Sequence, residues 1–313
     1  MGLADFPDSL AEEIQEVSSS DFTVEITETD IVPSVDDPEI THPNLVTKVQ
    51  KCELIDTCVL YIAIRRSTDL SFSHRRNTLT ELYSSFVRAM ARCGGYFDSK
   101  VRGIVGDRLM VIFDKKDCFA NAVNTAILMN SVSQYLLDKN FSHDEIKCGV
   151  GLDYGKMLAS KVGIIKRGVE NTANKSIVWL GRPANVASKL TDSENRKTYN
   201  FVPTVQEGYY YPNIDKHSWY ETDTPKFLDK LEETYSPVLK HPDEYFFGFF
   251  QSSRTTSQTT PPVLMTEPVF NGFKQANPDE QSLKEGWWHP QSVFVPGYSN
   301  KVYGGNIWFT AFL

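Results

Sequence analysis

Long apolar runs are missing from this sequence of 313 residues. The longest, such as Cys58 to Ile64, have about seven residues, whereas a membrane-spanning helix needs about 20. The first residues are acidic where a secretory signal would be basic. We therefore expect neither a membrane span nor a signal peptide, and we expect a cytoplasmic protein.

Cysteine is also scarce. The five cysteines are scattered, form no C-x-x-C pair and have no histidine partner at metal-ligand spacing. This pattern excludes a disulfide scaffold and a structural zinc site, and it predicts reduced thiols in the core. The residues concerned are Cys52, Cys58, Cys93, Cys118 and Cys148.

Basic residues are absent from the first 44 positions, which contain twelve Asp and Glu. The remainder of the chain has 32 basic and 28 acidic residues and is close to neutral, so we expect no nucleic-acid binding. Residues 1–45 are predicted to be an acidic segment of their own. A solvated arm is the simpler interpretation, and a segment lying across a basic groove is the alternative.

Hydrophobic periodicity predicts a β-α-β-β-α-β order in the middle of the chain. A continuous apolar run predicts a strand buried on both faces, and steps of three and four residues after it predict an amphipathic helix. A tight Val-Gly-Asp-Arg turn joins the next two strands. The predicted elements are Cys58 to Ile64, a helix from Arg75 to Gly94, Tyr96 to Arg102, Leu109 to Phe113, a helix from Cys118 to Leu137, and Ile146 to Tyr154.

This order is typical of the ferredoxin-like α+β fold, an antiparallel sheet with both helices on one face and an open second face. Additional strands follow, with a strand at Ser176 to Leu180 and a helix from Gly181. The polar, proline-ended run from Ser252 to Pro262 predicts a linker over residues 251–285. The tryptophan- and glycine-rich residues 286–313 are predicted to be a small C-terminal β module.

Three separated motifs have the residue types of a phosphate site. In the first, strand residues Ala63 and Ile64 run into a polar turn of Arg65, Arg66, Ser67 and Thr68, whose backbone N–H groups and side chains suit phosphates. The second is Asp107 in the hairpin turn. The third is the pair Asn185 and Lys189, which are four residues apart and so share one helix face.

Taken together, these motifs resemble the class III nucleotide cyclases, the adenylate and guanylate cyclase family, over roughly residues 56 to 195. In that family a metal-binding Asp follows the first apolar strand, a second lies in the Gly-Asp hairpin turn, and an Asn-x-x-x-Arg/Lys pair lies on a late helix. Ile64, Asp107 and the pair Asn185 and Lys189 match these motifs. The resemblance implies that residues 46–250 form a cyclase domain.

The resemblance also implies the chemistry. A ribose 3′-hydroxyl attacks the α-phosphate of its own nucleoside triphosphate, and two Mg²⁺ or Mn²⁺ ions on the two Asp carboxylates assist. Ile64 would contribute its carbonyl to a metal, and Asn185 and Lys189 would orient the ribose and hold the charge on the α-phosphate. Homodimeric members build each site from both subunits, so we expect a homodimer with composite sites.

One position departs from the family. Ala63 stands where the first metal-binding Asp is expected, while the residues around it match. A natural loss, giving a nucleotide-binding pseudoenzyme, and an introduced Asp→Ala change both explain it. The intact remainder of the site favours the second. The chain as it stands is predicted to bind nucleotide and to turn it over poorly.

The base-reading positions also depart. Adenylate cyclases have Lys and Asp or Thr at the positions of Gly103 and Val178, so the purine-reading groups are absent. The neighbouring Arg102 offers donors that suit the two carbonyl oxygens of uracil. The pattern resembles the bacterial pyrimidine cyclases of the Pycsar anti-phage systems. It implies conversion of UTP to the second messenger 3′,5′-cyclic UMP, with CTP and cyclic CMP as the alternative.

Other interpretations remain. Each residue alone is more simply explained as a turn residue, a helix cap or a surface charge, and only the joint order points to nucleotide chemistry. An RNA-recognition module shares the β-α-β-β-α-β order, but its aromatic stacking positions would be Ile104 and Gly106. A nucleotide sensor without turnover is the other alternative.

Overall fold

The computed structural model describes residue 4 and residues 6–141, 146–162, 165–166, 169–170, 176–193, 197–234 and 238–313. The chain divides into a main unit, Met1–Asn195 with Pro261–Leu313, and a second unit, Arg196–Thr260. The helices are α1 (Phe6–Val17), α2 (Ser67–Ser73), α3 (Arg76–Tyr96), α4 (Cys118–Val132), α5 (Asp138–Asn140), α6 (Arg182–Ser193), α7 (Thr224–Lys230), α8 (Glu267–Ala276) and α9 (Gln281–Lys284). A π-helical turn, Ser133–Leu137, joins α4 to α5.

The described strands range in length from two residues to 16 residues. They are β1 (Thr23–Glu28), β2 (Val49–Ile64), β3 (Ser99–Val105), β4 (Arg108–Phe113), β5 (Cys148–Val162), β6 (Ile165–Lys166), β7 (Val169–Glu170), β8 (Ser176–Leu180), β9 (Lys197–Tyr211), β10 (Lys216–Asp223), β11 (Glu232–Glu233), β12 (Leu239–Lys240), β13 (Phe246–Thr259), β14 (Val263–Thr266), β15 (His289–Gln291) and β16 (Val302–Gly305).

The main sheet confirms the predicted fold class. Its strand order is β15-β16-β14-β5-β2-β4-β3, with β1 added in parallel along β2 and β8 added along β5. The segment β5-β2-β4-β3 is antiparallel throughout and has the strand order of a ferredoxin-like fold. The predicted β-α-β-β-α-β order is therefore present as β2, α3, β3, β4, α4 and β5.

The central strand β2 is buried on both faces, as its continuous apolar run predicts. Leu60 and Ile62 belong to the core beneath α3 and α4, together with Phe86 and Met90 of α3. The other face forms a second core with residues of α6 and the neighbouring strands, namely Ile55, Val59, Met110, Ile112, Met157, Ala184 and Ala187. Part of the face that was expected to be open is thus covered by α6.

The C-terminal residues belong to the main sheet and do not form the separate module predicted over 286–313. β14 pairs with β5 in parallel, and β16 pairs with β14. The predicted strand at Asn306 to Phe312 is wrong: the strand there is β16, which ends at Gly305, and Thr310–Phe312 is a 3₁₀ turn. The β14–β5 pairing joins residues more than one hundred positions apart, which local sequence patterns do not specify.

The second unit is a three-stranded sheet of order β10-β9-β13 with α7 and the β11–β12 hairpin. The linker predicted over residues 251–285 is wrong: this range contains the end of β13, β14, α8 and α9, and Ser252 to Thr259 of β13 pair with β9. Threonine favours strands, and the backbone provides the pairing, so a polar composition did not exclude a strand here. Residues 201–250 form part of this unit, and the prediction that they complete the cyclase domain is not supported.

The acidic N-terminal segment lies against the main unit, so the solvated-arm interpretation is wrong. Its carboxylates pair with lysines of the body: Glu16 with Lys48 at 2.9 Å and Asp30 with Lys115 at 2.8 Å. Val32 is buried in the second core. Each exposed pair contributes little free energy, so buried apolar contacts and backbone hydrogen bonds, such as Lys115 N–H to the Asp30 carbonyl at 2.9 Å, hold the segment in place.

All five cysteines are free and buried, which confirms their placement in the core. Within the described part of the chain, no helix combines the length and the apolar character that crossing a membrane requires.

Candidate functional site

Strands β2 and β4 bring the first two motifs together at one end of the main sheet, a place we call the β2–β4 corner (Ala63, Ile64, Asp107 and Arg108). Ala63 lies directly opposite Arg108 in the ladder, and the Ile64 N–H donates to the Asp107 carbonyl at 3.4 Å. Gly106, at φ 59°, allows the tight turn that holds Asp107 half-buried beside the end of β2. Position 63 and Asp107 therefore adjoin, as the resemblance implies.

The predicted phosphate turn follows β2 directly. Arg66 adopts a left-handed conformation, φ 54°, and Ser67 and Thr68 begin α2. The Arg66 guanidinium is exposed and pairs with Asp69 at 2.8 Å. Arg66, Ser67 and Thr68 thus lie at the N-terminal end of α2, at the surface of the main unit.

Arg65, the first residue of that turn, is differently placed. Its backbone N–H donates to the Lys147 carbonyl at 2.7 Å, and its guanidinium donates to the carbonyls of Thr191 and Asp192 at the end of α6. It therefore caps a helix C-terminus, where a positive charge is favourable.

Arg108 is a member of the corner that the sequence motifs did not single out. Its guanidinium donates to Ser188 Oγ at 2.8 Å and pairs with Asp192 Oδ1 at 2.5 Å, both on α6. Residue 192 lies 84 positions from residue 108. The one signal available in the sequence was a basic residue directly after the Gly-Asp turn.

The third motif lies on α6, as predicted. Asn185 and Lys189 share an exposed face of this helix, and Asp192 continues the same face one turn later. Asn185 Nδ2 donates weakly to the Gly181 carbonyl at 3.4 Å. The Lys189 ammonium donates to the Pro296 carbonyl at 3.0 Å.

The predicted base-reading residues are not brought together within one chain. Arg102 and Gly103 lie on β3, whereas Val178 lies on β8, and β4, β2 and β5 stand between these two strands. Arg102 occupies an irregularity in the β3–β4 ladder, and its Nε donates to the Pro33 carbonyl at 3.0 Å. Burial lowers the pKa of the Arg102 guanidinium.

The corner does not fit two divalent cations. Ala63 contributes a methyl group that is 3% exposed, so Asp107 is the one carboxylate of the expected pair. Among the described residues, no group of three or more His, Cys, Asp or Glu side chains converges as a metal site. Arg108, opposite Ala63, adds positive charge where cations would need negative charge.

Comparisons with known proteins agree with the motifs. No family model matches the chain. It is 25% identical over 197 residues to a uridylate cyclase from Burkholderia cepacia, covering 61% of this chain and 80% of that protein. It is 27% identical over 176 residues to a cytidylate cyclase from Staphylococcus aureus, covering 52% of this chain and 42% of that protein. The solved adenylyl cyclase CyaB from P. aeruginosa aligns with 81% of this chain and 95% of that one, at 14% identity and a TM-score of 0.47.

The curated uridylate and cytidylate cyclases confirm the resemblance to the nucleotide cyclases that the three motifs predicted. The curated relatives carry the names of pyrimidine cyclases, the subgroup that the departures at the base-reading positions indicated.

Proposed function

We propose that this chain is a pyrimidine nucleotide cyclase of the class III type that acts on UTP, and that Ala63 leaves it able to bind nucleotide but slow to turn it over. The observation that carries the proposal is the juxtaposition of position 63 and Asp107 at the β2–β4 corner, in a fold with the expected strand order. The names of the curated relatives support the pyrimidine base.

The proposed reaction is an internal phosphoryl transfer. The 3′-oxygen of UTP bonds to the α-phosphorus, the bond from that phosphorus to the bridging oxygen breaks, and pyrophosphate leaves. The hydroxyl proton passes to solvent. The products are 3′,5′-cyclic UMP and pyrophosphate, and a cyclic nucleotide would serve as a second messenger in anti-phage defence.

Within this proposal Asn185 and Lys189 orient the ribose and hold the charge that grows on the α-phosphate. Both side chains lie on the exposed face of α6, where a second copy of the chain can approach them. We therefore propose a homodimer with composite sites. The turn at Arg66, Ser67 and Thr68 is the proposed phosphate contact.

The deciding experiment is Ala63→Asp. The new carboxylate would be buried, but Arg108 directly opposite provides a charge partner, so the substitution is compatible with folding. We expect turnover to rise by several orders of magnitude while the affinity for UTP changes modestly, because the carboxylate acts mainly in the transition state. The assay offers each of the four nucleoside triphosphates with Mg²⁺ or Mn²⁺ and identifies the cyclic product.

The matched control is Ala63→Asn, which has the same size without the charge and should stay inactive. If Ala63→Asp makes cyclic CMP in preference to cyclic UMP, the chain is a cytidylate cyclase. If it binds UTP but releases no pyrophosphate with either metal, the enzyme proposal fails and the chain is a nucleotide sensor. The nucleotide sensor is the second candidate function, and the observation that favours it is Ala63 opposite Arg108.

A further inference from the structure

Arg108 and Ala63 point to the same side of the main sheet. Residues directly opposite each other in an antiparallel ladder project from one face. The contacts of Arg108 show which face this is, because its guanidinium reaches Ser188 and Asp192 on α6. The guanidinium therefore stands over the side of the corner on which an aspartate at position 63 would present its carboxylate.

The charges at the corner are unusual for a site that would hold two cations. Two guanidinium groups, of Arg65 and Arg108, approach the end of α6, where Asp192 lies, and Arg108 directly follows Asp107 in the chain. A guanidinium at the corner disfavours a divalent cation there and attracts a phosphate. Alanine at position 63 and Arg108 opposite it thus both make the corner less negative than a site for two cations would be.

We propose that the guanidinium of Arg108 is a phosphate-binding group of this site, so that the chain binds a nucleoside triphosphate without a divalent cation. This inference rests on the proposed function. A guanidinium is planar and always charged, and it can donate two parallel hydrogen bonds to one phosphate. In this structure Nη1 of Arg108 donates to Ser188 Oγ and Nη2 donates to Asp192 Oδ1. The Asp192 side chain is 60% exposed, which leaves it able to move aside when a phosphate enters.

Two substitutions separate phosphate binding from a purely structural role. Arg108→Gln removes the positive charge, whereas Asp192→Asn removes the negative charge of its partner, so that a phosphate competes more easily for the guanidinium. Both break the same ion pair with α6. If Arg108 binds phosphate, the first variant loses affinity for UTP and the second gains it. If Arg108 only holds α6 in place, both variants lose affinity.

The experiment is calorimetric titration of the full chain with UTP, once in EDTA and once with Mg²⁺. We expect the Kd in EDTA to lie within about threefold of the Kd with Mg²⁺. A hydrogen bond between charged groups predicts that Arg108→Gln weakens binding in EDTA by about tenfold or more. Asp192→Asn should strengthen it. The control is Arg88→Gln on the exposed side of α3, which makes the same change of charge away from the corner and should leave the Kd unchanged.

The outcomes distinguish this inference from the proposed function. Binding of UTP only in the presence of Mg²⁺ overturns the role of Arg108 and leaves the proposed function intact. Weaker binding by both Arg108→Gln and Asp192→Asn, with unchanged thermal unfolding, also overturns it. No binding of UTP in either condition overturns the proposed function and this inference together.

Discussion

The two units each hold a cluster of charged side chains, and the clusters differ in how deeply they are buried. In the main unit Arg108 and Asp192 are partly exposed, with side chains 33% and 60% accessible. In the second unit Glu207 is fully buried in β9. It accepts from the Lys230 ammonium at 2.7 and 2.9 Å and from the Tyr209 hydroxyl at 2.6 Å.

Burial sets the energetics of the second cluster. On its own it would raise the pKa of Glu207, but hydrogen bonds from Lys230, Thr222 and Tyr209 outweigh it and lower that pKa to about 2. Burial of Tyr209 and its hydrogen bond to Glu207 raise the pKa of the Tyr209 hydroxyl. Removing Lys230 from this cluster would take the ammonium partner away from the buried Glu207 carboxylate, so the cluster favours one arrangement of the unit.

The β2–β4 corner has the opposite character. Its charges are accessible to solvent, and one expected carboxylate is absent at position 63. Such groups contribute little to stability and are available to a ligand. The difference between the two units teaches that the degree of burial, rather than the number of charges, separates a structural cluster from a candidate binding site.

The largest expected effect tests whether the corner is completed by a second chain. On the Ala63→Asp background, Asp107→Ala and Asn185→Ala should each abolish activity. Mixing the two variants should restore it, because each heterodimer has one site that carries neither defect. Random pairing makes about half of the dimers heterodimers, and one of the two sites in each heterodimer is intact. We therefore expect about a quarter of the parent activity.

Cyclic nucleotide formation by the mixed sample is the measurement, with heterodimers verified by differently tagged chains. The control is each variant alone at the same total concentration. Persistent inactivity of verified heterodimers would show that Asp107 and Asn185 act from the same chain.

The second prediction concerns Glu207 and the pH. The folded-state pKa of about 2 lies below the ordinary value of 4.5, so the stabilisation is complete above about pH 4.5 and is lost as the pH falls towards 2. The shift corresponds to up to about 3 kcal/mol. Hydrogen exchange of the β9 amides should show weaker protection at pH 3 than at pH 7, because the stabilisation of the second unit by ionised Glu207 is partly lost.

Glu207→Gln is the control, because it keeps the shape of the side chain and removes the titration, so the pH dependence of β9 should flatten. Lys230→Met removes the ammonium from the buried carboxylate and leaves it the Tyr209 hydroxyl and His241 Nε2 at 3.4 Å, so this variant should destabilise the unit at pH 7 more than at pH 3. Equal protection of β9 in the parent chain at both pH values would contradict the prediction.

Sequence patterns predicted those parts of the fold that depend on local periodicity. The apolar run of β2 and the three- and four-residue steps of α3 gave their structures directly, and Gly106 with Asp107 marked the turn. Together these elements place position 63 beside Asp107. Because these local patterns place the turn next to β2, the sequence alone assigns the first two motifs to one site.

Other features depend on contacts between distant residues and left no local signal. The ion pair between Arg108 and Asp192 joins two ordinary surface residues, and the pairing of β14 with β5 depends on the whole sheet. The polar strand β13 resembles a linker in composition. The irregularity at Arg102 is also invisible in sequence, because a bulge in the ladder changes where a side chain points without changing the pattern around it.

The smallest expected effect concerns Arg102, which belongs to neither cluster and is less buried than Glu207. It is half-buried, and its Nε is committed to the Pro33 carbonyl while the remaining guanidinium nitrogens can still donate. If these donors read uracil, Arg102→Ala loses a charged hydrogen bond worth about 1.5–3 kcal/mol. The preference for UTP over ATP should then fall by about ten- to a hundredfold.

The ratio of the Kd values for UTP and ATP in the present chain measures this preference and needs no turnover. Lys100→Ala removes the same charge from the same strand and should leave the ratio unchanged. Arg102→Lys keeps the charge but loses the planar donor pair, so its ratio should lie between those of the parent and Arg102→Ala. A ratio that is the same in all four proteins would place base recognition elsewhere and make Arg102 a residue that only anchors the N-terminal segment.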